Sequence, residues 1–336
     1  MQKAALVLIS AVVFGISALG QTEASANFKL VLPEHRGQLR WSADGFKIIQ
    51  SSVKPNGREI GIRGKDKSGH LTFLGFLFLF PEQAPLTSAK CRDGVLNPEK
   101  KSNATLRVSG VSEGIQSGSV PVSLVSYTAH DQNGKTVYMV RAFAAAGDIC
   151  GDLEFYGDTP ISTEDVVLKK IFASYGLDEN YAPRFDDVFL YAQLLYQERM
   201  YRDAAPMFES ALMKLAESPG TDTTLAKDTK TTKRIVTDQA GMAYGMSGDN
   251  EKARRLFEKA IAEDPDYPMY YYNLACADAA DKNLEGARKH LQQAFARKAN
   301  MISGESMPDP TKDDSFTPYH DNKEFWAFLQ SLQPKE

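Results

Sequence analysis

The sequence is poor in the residues that redox and metal chemistry need. Its 336 residues include three cysteines and five histidines. It has no C-x-x-C motif, no P-loop lysine motif and no G-x-G-x-x-G motif, and its histidines lie far apart rather than at the short spacings of zinc sites. Dithiol redox, nucleoside triphosphate and dinucleotide chemistry therefore lack support, and we predict neither a metal nor a cofactor.

The chain also lacks an excess of basic charge. Its 39 Lys and Arg residues stand against 43 Asp and Glu residues, for a net charge of −4. Proteins that bind nucleic acid or anionic lipid usually carry a basic surface, so the mild acidity argues against both as the main partner. With 43% apolar residues the chain is globular, and its length suggests two domains.

Residues 1–26 have the layout of a cleavable secretory signal. Lys3 precedes an apolar run over residues 4–19, and small residues fill positions 24–26. A membrane anchor is the alternative, because the run approaches spanning length. The small residues that follow the run, and the lack of stop-transfer charges after it, favour cleavage over a membrane anchor. We therefore predict an exported protein, periplasmic or extracellular, that keeps no stable membrane anchor.

The odd number of cysteines raises the question of which two form a disulfide. Three cysteines in an exported protein leave at least one unpaired within a monomer. Cys91 and Cys150 lie in the first half of the chain and Cys276 in the second. We predict a disulfide between Cys91 and Cys150, and two buried free thiols remain the alternative.

The second half of the chain repeats a helical pattern. Ala253 and Phe257 lie on one helix face, and Pro265 closes that helix. The small residue returns 34 positions later at Ala287, whereas the earlier copy begins at Ala204, 49 positions before Ala253. The 15 extra residues predict a longer loop and an extended helix between the first two copies.

This pattern resembles the tetratricopeptide repeat over roughly residues 178–297. The resemblance implies three helix pairs whose first helices line a concave groove, followed by a capping helix that carries Phe325 and Leu329. We assign the family's groove-facing positions to this sequence residue by residue. They fall on Phe189, Gln193 and Tyr196, then on Asp238, Met242 and Met246, and finally on Tyr272, Asn273 and Cys276.

No Lys or Arg occupies these groove positions. The chain departs here from the subgroup that clamps a carboxy-terminal carboxylate through lysines and asparagines. We therefore expect a protein or peptide ligand that is apolar or extended, or docking of the chain's own first domain. The alternative is a packed scaffold in which Met242 and Met246 are core residues. The sequence leaves open whether the groove is free or filled by the chain's own tail, and it does not determine the oligomeric state.

The first half is rich in strands. From residue 39 to 156, short apolar runs alternate with turn residues, and Asn56-Gly57 and Asn133-Gly134 predict two hairpins. Segment 71–80 between them is apolar on both strand faces, which predicts a central strand covered on both sides.

Two helices are predicted around this sheet. One covers residues 86–101 and is capped by Thr87 or Ser88, and the other covers 161–176 and is capped by Ser162 or Thr163. The layout looks like the PsbP/Mog1 group of small α/β/α sandwiches, which implies a binding or assembly module.

The predicted fold class is α+β. It consists of an N-terminal antiparallel-sheet sandwich domain over residues 27–177 and a C-terminal all-α helical-repeat domain over 178–336.

One motif is typical of an enzyme. Residues 110–114 match the G-x-S-x-G elbow of hydrolases, with Ser112 in the place of the nucleophile. The elbow needs a helix directly after it, and here a Gly/Ser/Pro stretch leads into another strand, so we interpret the motif as a plain loop and predict no catalysis.

Two functions are compatible with these patterns. We predict an exported non-catalytic adaptor or scaffold that mediates protein–protein interaction or complex assembly in the cell envelope. The alternative is a periplasmic protein that binds a small ligand or cofactor, with its site in the N-terminal domain or the interdomain cleft.

Overall fold

The computed structural model describes residues 27–117, 120–217 and 228–332. The predicted signal, residues 1–26, lies outside these ranges. The described chain forms two compact units, one that ends at Asp187 and one that begins at Val188. No helix in the described ranges combines the length and the apolar character needed to cross a membrane.

The described part of the first unit contains two antiparallel sheets. Seven strands follow the order β3-β4-β5-β9-β8-β7-β6, and three follow the order β1-β2-β10. The expected antiparallel sheet architecture is therefore present. The strands are β1 Asn27–Leu30, β2 Gln38–Ser42, β3 Phe46–Val53, β4 Glu59–Asp66, β5 Leu71–Leu79, β6 Arg107–Ser117, β7 Val120–His130, β8 Thr136–Ala146, β9 Ile149–Gly157 and β10 Gly176–Asp178.

Both predicted hairpins are confirmed. β3 pairs with β4 around Asn56-Gly57, and β7 pairs with β8 around Asn133-Gly134. Gly57 and Gly134 have φ angles of 66° and 77°. Those values lie in the left-handed region, which the tight turns of hairpins require and glycine adopts without a steric penalty.

Strand β5 is covered unequally on its two faces. Phe73 is fully buried, whereas Phe76 and Phe78 on the other face are half-buried, so β5 is a central strand covered on both faces but more completely on one. The ring of Trp41 on β2 meets Phe73 edge-on with ring centres 5.5 Å apart. Gly75 makes room for this indole, because a Cβ atom there would lie 2.3 Å from it. The three-stranded sheet thus covers one face of β5.

Helix α1, Ser88–Ser102, packs on the opposite sheet face over β7, β8 and β9. Its cap is Thr87, which accepts a hydrogen bond from the backbone N–H of Lys90 over 3.2 Å. Cys91 of this helix forms a disulfide with Cys150 of β9, and their Cα atoms are 5.5 Å apart. The helix is therefore covalently joined to the sheet.

Helix α2, Val166–Ser174, begins later than the sequence suggests. Asp165 caps it and accepts hydrogen bonds from two backbone N–H groups of the first turn. The predicted caps Ser162 and Thr163 are therefore wrong. A carboxylate is a stronger acceptor than a hydroxyl, which explains why the helix starts at the acidic residue.

The second unit is helical. Three successive helix pairs, α3 with α4, α5 with α6 and α7 with α8, are followed by a terminal helix, α9. At 18 residues α5 is the longest helix described, as the longer interval between the first two copies predicts. The helices are α3 Phe185–Gln197, α4 Tyr201–Glu217, α5 Thr229–Met246, α6 Asn250–Glu263, α7 Pro268–Ala280, α8 Leu284–Ala296 and α9 Lys323–Ser331.

Small and aromatic residues set the packing between these helices. Ala204, Ala253 and Ala287 are buried at equivalent places in α4, α6 and α8. At the other end of the unit, Phe325 and Leu329 of α9 join the buried cluster formed by α7 and α8. The terminal helix thereby covers apolar surface of the last pair, which stacked repeats would otherwise leave in water.

Candidate functional site

The segment between α8 and α9, residues 302–316, lies against α7, and we call it the strap. The hydroxyl of Tyr267, just before α7, donates to both carboxylate oxygens of Glu305, at 3.1 and 3.0 Å. Within α7, the hydroxyl of Tyr272 donates to Oδ2 of Asp313 over 3.0 Å. The chain's own strap therefore fills the third-repeat part of the predicted groove.

The carboxyl end of the strap belongs to the core. Phe316 is fully buried, and its ring centre lies 6.0 Å from that of Tyr272 and 6.3 Å from that of Phe325. The hydroxyl of Tyr319 donates to the carbonyl oxygen of Ala279 at 2.5 Å. The strap is thus anchored by apolar packing at one end, whereas Glu305 and Asp313 hold it through polar contacts.

Asp238 of α5 lies close to the strap. Asn273 of α7 donates a hydrogen bond to its Oδ1 over 2.5 Å. Burial, together with the negative charge of Glu305, raises the pKa of Asp238 to about 7, and burial also raises the pKa of Glu305. Within the described residues, neither carboxylate has a salt-bridge partner. The two carboxyl groups therefore lie near each other, and the positive charge of Arg234 partly offsets the rise in the pKa of Glu305.

The three predicted groove residues of α7 all lie at this contact. Tyr272 is buried, and Asn273 and Cys276 are half-buried. Burial and the nearby carboxylate of Asp313 raise the pKa of the Cys276 thiol well above its usual value. A thiol in this state is a weak nucleophile, which suits a packing role better than a reactive one.

The predicted groove residues of α3 are half-buried. The rings of Phe189 and Tyr196 pack on Phe208 of α4, with centres 5.9 and 6.1 Å away. Gln193 donates from Nε2 to Oε1 of Gln239 on α5 over 2.6 Å. The first two repeats are therefore joined across their inner surface by an amide pair, and aromatic edges stay accessible beside it.

The two methionines of α5 remain open to solvent. Met242 is half-buried and Met246 is 46% exposed. The alternative in which both are core residues is therefore not what the structure shows. Thioether side chains at a surface adapt to different apolar partners, because they are unbranched and polarisable.

A buried ionic cluster lies beneath α1 in the first unit. Arg141 of β8 is 2% exposed and forms two hydrogen bonds with Asp152 of β9, at 2.5 and 3.2 Å. Its Nη1 atom also donates to Glu99 of α1 at 2.5 Å. Burial raises the pKa of the neighbouring Glu154 to about 7. The cluster joins α1 to the sheet, and the sequence offers only one signal for it, namely charged residues inside apolar strands.

The hydrolase-like motif has no elbow geometry. Ser112 is exposed on β6, an edge strand, so the interpretation as a plain loop is wrong. The adjacent Glu113 forms a salt bridge with Arg92. Across the described ranges, no group of three or more His, Cys, Asp and Glu side chains is placed to hold a metal ion.

A cavity of about 500 Å³ opens in the first unit beside the start of α2. Phe46, Leu71 and Ile161 provide apolar lining, and Asp66 and Asp165 provide carboxylates. Its size is within the range of small-molecule pockets.

Comparison with protein families locates the repeats. Residues 246–301, which include α6, α7 and α8, match the family model described as tetratricopeptide repeat. This part of the helical unit has the tetratricopeptide-repeat pattern. In such repeats each helix pair buries its inner face against its neighbours, and the first helices of successive pairs line a shared binding surface. In this chain those first helices are α3, α5 and α7.

Solved tetratricopeptide-repeat structures are among those similar to this chain. PcrH from Pseudomonas aeruginosa is 16% identical, with 44% of this chain and 90% of that chain covered and a TM-score of 0.29. The Sgt2 TPR domain from Aspergillus fumigatus is 18% identical, with 46% and 92% covered and a TM-score of 0.31. SycD from Yersinia enterocolitica, in complex with a peptide of the translocator YopD, is 14% identical, with 43% and 88% covered and a TM-score of 0.28.

No curated protein matches the chain. The resemblance of the first half to the PsbP/Mog1 group is not confirmed and stays a prediction.

Proposed function

We propose that the protein is an exported, non-catalytic adaptor that binds an extended segment of a partner protein in the cell envelope. The observation that carries the proposal is the accessible inner surface of α3 and α5, where Tyr196 is half-buried and Met246 is 46% exposed. Tetratricopeptide repeats are protein-interaction scaffolds, and their first helices form the surface that receives the partner.

The side chains of this surface suit an extended peptide. The amides of Gln193 and Gln239 have both donors and acceptors for a peptide backbone, and only one pair of these groups is used between them. Phe189, Tyr196 and Met242 offer apolar and aromatic contacts to the peptide's side chains. Aromatic and methionine residues are also the types enriched where proteins meet.

Two features support export. Residues 1–26 have the composition of a secretory signal. Cys91 and Cys150 form a disulfide, a bond that persists in oxidising compartments and is rare in reducing ones. Fractionation of cells that express the tagged full chain tests this part, and recovery of the uncleaved protein in the cytoplasm would contradict it.

The partner site is tested by cross-linking in a native envelope extract. The bait is the tagged mature chain, residues 27–336, compared with a Met242→Lys/Met246→Lys variant of the same chain. We expect the wild type to capture a discrete partner that the variant loses, because two charges on the apolar surface leave the partner's side chains without contacts.

The matched control is Met213→Lys. Met213 is 61% exposed on α4, a second helix of its pair, so it lies outside the proposed surface. The control should capture the partner as the wild type does. Equal capture by wild type and double variant would refute the proposed site.

A second candidate function rests on the cavity beside α2. Its volume of about 500 Å³ and its mixture of apolar and acidic lining fit a small, neutral or cationic ligand. Native mass spectrometry of the purified full chain tests it. A retained small molecule that is lost on Leu71→Trp substitution would favour this ligand-binding function.

A further inference from the structure

The strap identifies a second binding surface on the helical unit. It is a non-helical stretch, residues 302–316 with the sequence ISGESMPDPTKDDSF, and it lies against α7. Two of its four carboxylates, those of Glu305 and Asp313, accept hydrogen bonds from the hydroxyls of Tyr267 and Tyr272. The surface of α7 thus already has a peptide ligand, and that ligand belongs to the same chain.

The chemistry of this contact is selective for carboxylates. Tyr267 and Tyr272 are 0% and 1% exposed, so their hydroxyl donors lose water when the strap binds. A buried donor needs an acceptor, and a carboxylate accepts more strongly than a neutral group. The two tyrosines replace the lysines that a carboxylate clamp would use, and they add no positive charge to the surface.

The two ends of the strap are held against the helical unit by different contacts. Phe316 is packed against Tyr272 and Phe325, which fixes the carboxyl end. Upstream, Glu305 is half-buried, and its negative charge helps to raise the pKa of the nearby Asp238. Met307 packs on the cluster of α7 and α8 and Pro310 is buried, but residues 302–313 have fewer buried apolar contacts than the carboxyl end and should separate from α7 before it.

We propose that this face of α7 is a peptide-binding site which the strap occupies in the free protein, and that the partner segment replacing the strap is acidic and non-helical. Two carboxylates of that segment take the places of Glu305 and Asp313. The inference rests on the proposed adaptor function and names the chemistry of its partner.

Tethering makes the strap a strong competitor. A segment linked to its own site acts at an effective concentration of up to the millimolar range, so a free peptide binds poorly until the strap is weakened. The test therefore uses the full chain with Glu305→Gln/Asp313→Asn, which keeps the shape of the strap and removes both charges. Circular dichroism verifies that this variant is folded.

The probe is a fluorescein-labelled synthetic peptide with the sequence of residues 302–313, which omits the packed Phe316. The matched control peptide carries Gln and Asn at the positions of Glu305 and Asp313. Fluorescence anisotropy measures the affinity of each. We expect the variant chain to bind the acidic peptide about tenfold or more tightly than the amide peptide, since hydrogen bonds to charged acceptors are each worth about that factor or more.

Cys276 gives a second readout from the same samples. It is the free cysteine of the described chain and lies near Asp313 under the strap, whereas Cys91 and Cys150 are bonded to each other. Ellman's reagent at fixed pH should label Cys276 in the variant several-fold faster than in the wild type. Asp314→Asn changes an exposed carboxylate of the strap and is the control. In this variant Cys276 should be labelled at the same rate as in the wild type.

Two results would overturn the proposal. One is faster labelling of Cys276 with equal affinity for the two peptides, or with no binding of either. The other is an unchanged labelling rate, which would mean that the two carboxylates do not hold the strap. Because no partner protein takes part, these results are independent of the capture experiment on Met242 and Met246.

Discussion

Asn273 of α7 donates a hydrogen bond to Asp238 of α5, and this 2.5 Å contact joins two successive repeats on their inner surface. The pKa of Asp238 is raised to about 7 by burial and by Glu305. The contact between the repeats is therefore sensitive to a proton near neutral pH. The ionisable groups that face Asp238 are Tyr196, Tyr267, Tyr270, Cys276 and Glu305.

We predict that Asp238→Asn stabilises the helical unit at pH 8 and has a smaller effect at pH 5. The pKa of Asp238 rises from 3.8 to about 7 on folding, so the folded state holds the proton more tightly. Its contribution to stability is present below pH 4 and is lost as the pH rises through 7. Asn keeps the acceptor for Asn273 and cannot ionise.

The expected gain at pH 8 is about 1–2 kcal/mol, after allowance for partial solvent screening. Thermal unfolding of the wild type and the variant at the two pH values measures it. Asp314→Asn, an exposed carboxylate, is the control and should show no such difference. A gain of equal size at pH 5 and pH 8 would contradict the role of ionisation.

Substitution by alanine should have opposite effects on stability at two glycines of α5. A Cβ atom at Gly241 would lie 2.1 Å from the ring of Phe257, which is 1% exposed, whereas a Cβ atom at Gly245 meets nothing within 4 Å. Gly241→Ala is expected to destabilise the unit by about 1–3 kcal/mol through overpacking. Gly245→Ala is expected to stabilise it by up to about 1 kcal/mol, because alanine favours the helix. Urea unfolding compares the pair, and equal effects would refute close packing at Gly241.

Removal of the cation from the buried ionic cluster beneath α1 should strongly destabilise the first unit. Arg141→Met leaves Asp152 buried without a partner, and breaking such a pair costs about 3–5 kcal/mol. Arg58→Met removes a salt bridge with Glu82 in which both side chains are exposed, so its cost should be small because water screens the pair. Melting temperatures of the two variants test the contrast. Equal losses would show that Arg141 contributes no more than a surface charge.

Removal of the disulfide should destabilise the first unit by about 4 kcal/mol, because the bond closes a long loop between Cys91 and Cys150, which are 59 positions apart in the sequence. The variant is Cys91→Ala/Cys150→Ala, and calorimetry with and without reductant measures the effect. Cys276→Ala should leave the response to reductant unchanged. Peptide maps of the unreduced protein that show Cys91 and Cys150 unlinked would contradict the pairing.

Local signals explain what could be predicted from the sequence. The two Asn-Gly hairpins and the helix pairs follow from turn chemistry and from periodicity, which operate over a few residues. The inner helices α3, α5 and α7 could be located by the same means. The start of α2 was misplaced because several capping residues stand in a row there, and only the structure shows that Asp165 supplies the acceptor.

The strap could not be predicted, because its contacts join residues far apart in the chain. Tyr272 and Asp313 are 41 residues apart, and Asp313 lies in a polar stretch with the composition of a solvated loop. The same is true of Arg141, whose partner Glu99 lies 42 residues earlier, on α1. Pairings of this kind depend on tertiary packing rather than on local pattern.

The seven-stranded sheet ends in β3 on one side and β6 on the other, and both strands are irregular. The ladder slips between Ile48 and Gln50 in β3, and it slips twice in β6. A straight edge strand presents a row of free backbone groups that can recruit a strand from another molecule. Bulged edges interrupt that row. The first unit is thereby protected against aggregation through the edges of its larger sheet.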